Sequence, residues 1–375
     1  MTSPAPNEQN NMELNKADPA PNNAVTSAKA KKTRRSKAAR NPFIILANLV
    51  FSLLILAALG AGFGIYYLKK TFNDQGPLQQ AEVIWIKPGS GIKEISTLLA
   101  SNNIISNDQI FVYGIGWEQK TKALKAGEYE IPAHASMRDV MNILVLGRSI
   151  EHSITIPEGW TVTQALNRIS GNDVLTGDLA SDKMPPEGAL MADTVTFLRG
   201  TTRADIVRRL QQNQDKLVKE IWATRAADLP IKNINEFVTL ASIVEKETGI
   251  ASERPQVAAV FINRLRKNMR LQSDPTIIYG LFGGAGKPSG RPIYRSDIDK
   301  ETPYNTYKIN GLPPTPIAIP GKDALMAVAN PPKTEDLYFV ADGSGGHAFA
   351  KTLDEHNQNV RKWREVERSN NLSPN

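Results

Sequence analysis

The chain has 375 residues, 41% of them hydrophobic and 22% charged, enough for two or three domains with cores of their own. Its net charge of +7 is confined to residues 1–70, which carry ten Lys/Arg and three Asp/Glu. The rest holds 35 of each sign, so nucleic acid is not an expected partner. There is no cysteine, which excludes disulfides, thiol catalysis and thiolate metal sites. The four histidines, His134, His152, His347 and His356, lack metal-ligand spacing, so neither a metal nor a cofactor is expected.

Residues 1–41, rich in Asn, Pro, Ala and Lys, read as a disordered tail. The run FIILANLVFSLLILAALGAGFGIYYL at 43–68 has no charge. At about 1.5 Å per residue it spans a hydrocarbon core of about 30 Å with room for tilt. Tyr66 and Tyr67 fall where an interfacial aromatic belt lies. Seven basic residues precede the run between Lys29 and Arg40, and only Lys69 and Lys70 follow it closely. The positive-inside bias therefore places the N-terminus in the cytoplasm and residues 71–375 outside it. The run is too long and starts too late for a cleaved signal peptide. The expectation is an uncleaved single-pass helix at 42–68 in the cytoplasmic (inner) membrane, touching the bilayer through 43–68. The remainder would face an extracytoplasmic, periplasmic space, where the cell wall is the local polymer.

After a linker at 69–81, three segments repeat one pattern. They begin VIWIKPGSGIKEISTLL at Val83, YEIPAHASMRDVMNIL at Tyr129 and ITIPEGWTVTQALNRI at Ile154. Ile84/Ile86, Tyr129/Ile131 and Ile154/Ile156 alternate as strand residues, and Gly89, His134 and Gly159 share the turn position. Ile92/Ile95, Met137/Val140 and Val162/Ala165 follow at helical spacing. Each unit predicts a short strand, a turn and an amphipathic helix. Units of this kind resemble LysM carbohydrate-binding modules, which implies a peptidoglycan-gripping arm at 82–150; a plain α/β packing domain fits the pattern equally well. Residues 151–232, with the Pro-Pro-Glu-Gly turn at 185–188 and a helix from Arg203 to Trp222, read as a connecting α/β region. Residues 233–367 form the expected catalytic domain, including a helix capped by Ser252 with Pro255 in its first turn. Residues 368–375 read as a disordered tail. The fold class is α+β.

The stretch LASIVEKETG at 240–249 ends an apolar run with Glu245 and Glu247. Asn233 and Glu236 signal an N-terminus and Gly249 a C-terminus, so the helix spans about 234–248. At about 100° per residue, Phe237, Leu240, Ala241, Val244 and Thr248 share one face, and Thr239, Ser242 and Lys246 lie opposite. Glu245 and Glu247 fall on the two flanks, about 160° apart, and cannot both reach one sugar. A standard glycosidase places two carboxylates about 5–5.5 Å or 6.5–9.5 Å apart. Its second acid would have to come from elsewhere, with Asp274 or Asp297 available. A lytic transglycosylase needs one group only, because the C6 hydroxyl of the sugar attacks its own anomeric carbon. Burial beside Leu240 and Ile243 and the negative end of the helix dipole would raise that group's pKa. The dipole favours Glu247 slightly; Glu245 stays open on these grounds, as an acid or as an ordinary ion-pair residue.

LASIVEKETGIASERPQVAAVFINRLRKNMRLQSDPTIIYG, PYNTYKINGLPPTPIAIPG and LYFVADGSGGHAF together resemble the YceG-like (MltG) endolytic murein transglycosylases. The resemblance covers most of residues 82–365 and is strongest over 235–350. It implies a cofactor-free lyase that cuts the MurNAc–GlcNAc bond within nascent glycan strands, leaves 1,6-anhydroMurNAc ends and terminates strand elongation near membrane peptidoglycan synthases. Glu247, the second glutamate of E-K-E-T, takes the catalytic place, with Thr248 as the small hydroxyl residue after it and Glu245 beside it. The same resemblance points to Gln272, Asp274, Tyr304, Asn305 and Tyr307 around the glycan, and more weakly to Asn330 and His347. A hydrolytic muramidase, or a non-catalytic wall-binding scaffold for synthases, is the alternative. The chain departs from the family at EGALMADTVTF (187–197). Ala192 and Val195 replace a Pro and a Tyr there, which puts the wall of the cleft in question.

Overall fold

A computed structural model describes residues 41–180 and 184–372. The tail expected over 1–41 lies outside them except for Asn41, as do residues 373–375 of the expected C-terminal tail. The first element, α1 (Pro42–Asn73), is the one described helix long and apolar enough to cross a membrane. It runs past residue 68 into the stretch expected to be a linker. Phe72 and Leu78 are buried in the core built by residues 72–144, so 69–81 belongs to that core and is not a free tether.

The arm is ordered β1 (Glu82–Ile86), α2 (Ile92–Ser101), α3 (Asp108–Trp117), β2 (Gly127–Ile131) and α4 (Met137–Leu146). β1 and β2 pair antiparallel with Ile84 opposite Tyr129. Next come β3 (Glu151–Thr155), α5 (Val162–Ser170) and β4 (Thr194–Leu198), with Ile154 opposite Val195 in a second antiparallel pair. All three repeat units therefore form. Their aligned strand residues Ile84, Ile86, Tyr129, Ile131, Ile154 and Ile156 are all buried. The shared turn position adopts the left-handed conformation in each: Gly89 at φ 88°, His134 at 58° and Gly159 at 73°. Two glycines take this readily; His134 takes it at a cost that the turn imposes. Capping boxes at Ser136/Asp139 and Thr161/Gln164 start the second and third helices.

The connecting region is not separate from the expected catalytic domain. α6 (Arg203–Ala223) puts Ile206, Val207 and Leu210 into the core of 151–210 and Val218 and Ile221 into the core of 218–329. Ile319, from far down the chain, completes the former core, its N–H donating to the carbonyl of Trp160.

The core of residues 218–329 surrounds α7 (Ile234–Glu247), which is packed by α8 (Arg254–Arg266), α9 (Asp274–Phe282) and, after the short α10 (Arg295–Asp299), by α11 (Lys322–Ala329). β5 (Tyr338–Ala341) and β6 (His347–Ala350) form a hairpin, and α12 (Leu353–Leu372) closes the described chain. α12 carries helix through residues 368–372, where a disordered tail was expected. The Asn233 side chain caps α7 as the sequence predicts, accepting from the Glu236 N–H. Two other features differ. Thr239 and Ser242, on the face opposite the apolar one, are nevertheless fully buried, because Ser242 Oγ accepts from the Ile317 N–H and a loop covers that side. Residues 237–244 are thus enclosed all round, and each large apolar side chain buried there contributes about 1.5–3 kcal/mol. Nor does Gly249 provide a left-handed stop; the chain leaves the helix through Thr248 in extended conformation.

Candidate active site

α7 delivers both glutamates to its C-terminal turn, and the fold treats them oppositely. Glu245 is almost fully covered, with 5% of its side chain exposed, and Arg254 Nη2 donates to its Oε1 at 3.1 Å. Its Oε2 accepts from the Gly321 N–H at the start of α11 at 3.0 Å. Arg254 also reaches Glu158 and Asp323, each at 3.5 Å. Burial pushes the Glu245 carboxyl up even though Arg254 and Gly321 oppose it. Both of its oxygens are engaged, so Glu245 knits α7, α8 and α11 to the turn after β3.

Glu247 points the other way. Ser273 Oγ donates to its Oε1 in a short hydrogen bond. Ser273 is itself buried and immobilised, its N–H donating to Thr306 Oγ1 at 2.9 Å. Thr276 Oγ1 donates to the Ser273 carbonyl at 2.6 Å and meets Thr306 Oγ1 at 2.9 Å. Withdrawal from water pushes the Glu247 carboxyl up to about 7. The Ser273 hydroxyl pulls it down, the Asp274 charge lifts it, and His347 and Arg264 lower it. A carboxylic acid poised near 7 can donate a proton at neutral pH and take one back.

The segments expected at the glycan converge only in part. Gln272 sits at φ 53°, its N–H donating to the Thr306 carbonyl at 3.2 Å, while its side-chain oxygen lies 3.4 Å from Arg264 Nη1. Asp274 starts α9 beside Glu247 and accepts from the Tyr307 hydroxyl at 2.8 Å. Burial and that carboxylate hold the Tyr307 phenol above its ordinary range. Thr248 Oγ1 accepts from the Ile250 N–H at 3.0 Å and lies 3.4 Å from Glu253 Oε2. Glu253 in turn binds His347 through the backbone N–H at 2.9 Å and through Nδ1 at 2.7 Å. Glu253, not Ser252, is the residue before α8, and its carboxylate serves His347 in place of a cap.

Three expected residues stand back from the acid. Tyr304 packs at 4.9 Å against Tyr279 and bonds Thr315 Oγ1 at 2.8 Å, while the Tyr279 hydroxyl donates to a half-buried Glu187. Asn305 is 1% exposed and spends its amide on the carbonyls of Ile298 and Lys300 and its oxygen on the Tyr307 N–H. It shapes the loop and offers nothing to a sugar directly. Asn330 is separated from Glu247. Gly321, before α11, touches Glu245, whereas Asn330 lies past the far end of that helix, about 12 Å away, and contacts the Thr224 carbonyl. Of the possible second acids, Asp297 is bound by Arg291 and the Tyr294 N–H, which hold its carboxyl below the ordinary range. Asp274 is the one beside Glu247.

Sequence reading missed Ser273, Arg254, Arg264, Glu253 and Glu187. Ser273 stands between two named residues, Gln272 and Asp274, and that adjacency was its only signal. The altered segment is clearer in three dimensions. Val195 is buried opposite Ile154 and Ala192 packs against the same core, so both substitutions fall in packing and not on the cleft around Glu247. Among the described residues no three or more His, Asp or Glu side chains are grouped to hold a metal ion.

Residues 84–362 match the model of the YceG-like family. A protein named endolytic murein transglycosylase from Bacillus subtilis (strain 168) is 29% identical over 307 residues, covering 74% of this chain and 83% of its own length. A protein of the same name from Streptococcus pneumoniae serotype 2 (strain D39 / NCTC 7466) is 29% identical over 362 residues. That match covers 84% of this chain and 65% of the pneumococcal protein, so the chain spans a little under two thirds of that relative. A crystal structure of a yceG-like protein from Listeria monocytogenes aligns with a TM-score of 0.47 and 31% identity, over 74% of this chain and 98% of that one.

Proposed function

The chain belongs to the YceG-like family, and from that membership and the Glu247 geometry we propose that it is a peptidoglycan lytic transglycosylase. It cuts the MurNAc–GlcNAc bond inside nascent glycan strands. The observation that carries this reading is a single acid held near neutrality by burial, while the neighbouring glutamate is locked in an ion pair. The names of the relatives agree with it.

In the reaction, the protonated Glu247 carboxyl gives its proton to the glycosidic oxygen as the bond to the MurNAc anomeric carbon breaks. The MurNAc C6 hydroxyl oxygen then bonds that carbon, and its proton returns to the Glu247 carboxylate. No water is consumed, and the product ends in 1,6-anhydroMurNAc. Ser273 holds the carboxyl in place; Gln272, Asp274 and Tyr307 line the approach with polar and aromatic groups suited to a sugar.

The architecture bears on where the enzyme works. α1 is a single-pass anchor in the cytoplasmic membrane with the N-terminus inside and the remainder in the periplasmic or extracytoplasmic space. The strand–helix–helix–strand order of 82–131 supports a LysM-like arm that grips peptidoglycan. Cutting strands close to the membrane terminates their elongation and places the enzyme beside peptidoglycan synthases.

The test is product analysis on defined, uncrosslinked glycan by mass spectrometry. Transglycosylation leaves ends lighter by one water than hydrolysis does. Ordinary reducing ends would replace the transfer by a muramidase reaction, with Asp274 as the base that activates water. Glu247→Gln should lose about 10²–10⁴ in rate; wall binding and cellular function unchanged by that substitution would favour the scaffold alternative.

A further inference from the structure

α3 reads DQIFVYGIGW, and after Asp108 and Gln109 every residue is apolar, aromatic or glycine. A helix apolar on all sides is ordinarily covered on all sides. Here only Phe111 and Ile115 are buried in the arm, whereas Tyr113 and Trp117, one turn apart, are 67% and 57% exposed. Among the described residues beyond 68, the only other exposed large aromatic is Tyr294.

This uncovered face lies close to residues 68–73. A cavity of about 150 Å³ lies between Leu68, Phe72, Tyr113 and Trp117. The Phe72 ring passes α3 at Gly114, where an added Cβ would meet it at 2.3 Å, so a glycine is needed for the approach. The Lys69 ammonium sits 4.2 Å from the centre of the Trp117 ring. Lys69 immediately follows the apolar run, and Phe72 is four residues past Leu68, about 6 Å along a helix. That distance is the depth of one headgroup layer. Lys120 and Lys122, just after α3, are exposed, while Glu118 is taken by Arg138.

We infer that the Tyr113/Trp117 face of α3 docks on the outer surface of the bilayer that holds residues 43–68. The indole and phenol lie in the interfacial layer, and Lys69, Lys120 and Lys122 meet anionic lipid headgroups. Amphipathic rings prefer that layer, and lysines there are attracted to an anionic surface. The contact would hold the arm down against the membrane from which the chain emerges. It rests on the anchored reading of α1.

Because the chain has no cysteine, a single nitroxide can be placed on the full-length protein in phosphatidylglycerol/phosphatidylethanolamine vesicles. Tyr113→Cys and Trp117→Cys report on the face, Tyr294→Cys on a water-exposed aromatic site and Leu56→Cys on the anchor. At 113 and 117 the ratio of oxygen to nickel-chelate accessibility should be several-fold higher than at 294 and below that at 56. A ratio at 113 and 117 equal to that at 294, with 56 membrane-like, overturns the docking and leaves the anchor intact. A water-like ratio at 56 overturns the anchored reading itself. Shielding of 113 and 117 from both reagents would mean a second copy covers the face and would also overturn it. Replacing the anionic lipid by phosphatidylcholine should lower the ratio; no change would remove the lysines from the contact.

Discussion

Glu247→Gln swaps the acid for an amide of the same shape and so deletes one titration. In the folded chain the carboxyl is pushed from its ordinary 4.5 up to about 7. At about 1.4 kcal/mol per pH unit, that displacement is worth about 3 kcal/mol. Between those two pH values the folded chain keeps a proton that the unfolded chain has released. The stabilisation from the neutral carboxyl is therefore complete below 4.5 and is lost as pH rises through 7. Glu245 and Glu187 are also raised by burial and drift in the same direction. Only the difference between wild type and variant isolates Glu247. Chemical denaturation of both proteins at pH 4 and pH 8 should show the variant gaining up to about 3 kcal/mol relative to wild type at the higher pH. Parallel pH dependence in the two proteins would mean that Glu247 is not desolvated in the folded chain, and the acid assignment would lose its physical basis.

Ser273→Ala removes a hydrogen bond that favours the ionised form of Glu247, so the alkaline limb of the activity profile should move up by about one pH unit; a limb that stays put or moves down contradicts the role given to Ser273. Arg254→Met strands the covered Glu245 carboxylate and should destabilise the chain by about 3–5 kcal/mol. Adding Glu245→Leu should recover most of that in a thermal melt, and a double variant no better than the single one would show that the pair is not the cause. Gly188 sits at φ 78° with an added Cβ 2.9 Å from Pro316. Gly188→Ala should therefore lower stability by at least about 1–2 kcal/mol with the Glu247 pH profile unchanged, and an unaltered melting temperature would refute the steric reading.

Much of the arm was legible because its information is local. The alternation of Ile84 with Ile86, and of Tyr129 with Ile131, specifies which strand face is buried. A turn that must bend left-handed at Gly89, His134 and Gly159 repeats with the strands. α7 was legible for the same reason in its N-cap and in the divergence of its two glutamates, since residues two apart on a helix face away from each other whatever surrounds them. Its enclosure was not. Thr239 and Ser242 look solvent-facing until a loop 75 residues later, at Ile317, closes over them. Likewise the boundary drawn at 232 dissolves because α6 is long enough to serve two cores.

The amino-acid order alone determined that one long apolar helix precedes an α+β body, that three strand–turn–helix units recur, and that Glu245 and Glu247 cannot act as a pair. These come from periodicity, length and helical geometry, which act within a few residues. What surrounds each glutamate was decided by the tertiary structure. Arg254 and the Gly321 N–H, 76 residues from Glu245, claim one carboxylate. Burial raises the other toward neutrality against the pull of Ser273, 26 residues from Glu247, which holds it in place. A carboxyl's pKa depends on what fills the space around it, and that space is filled by distant parts of the chain.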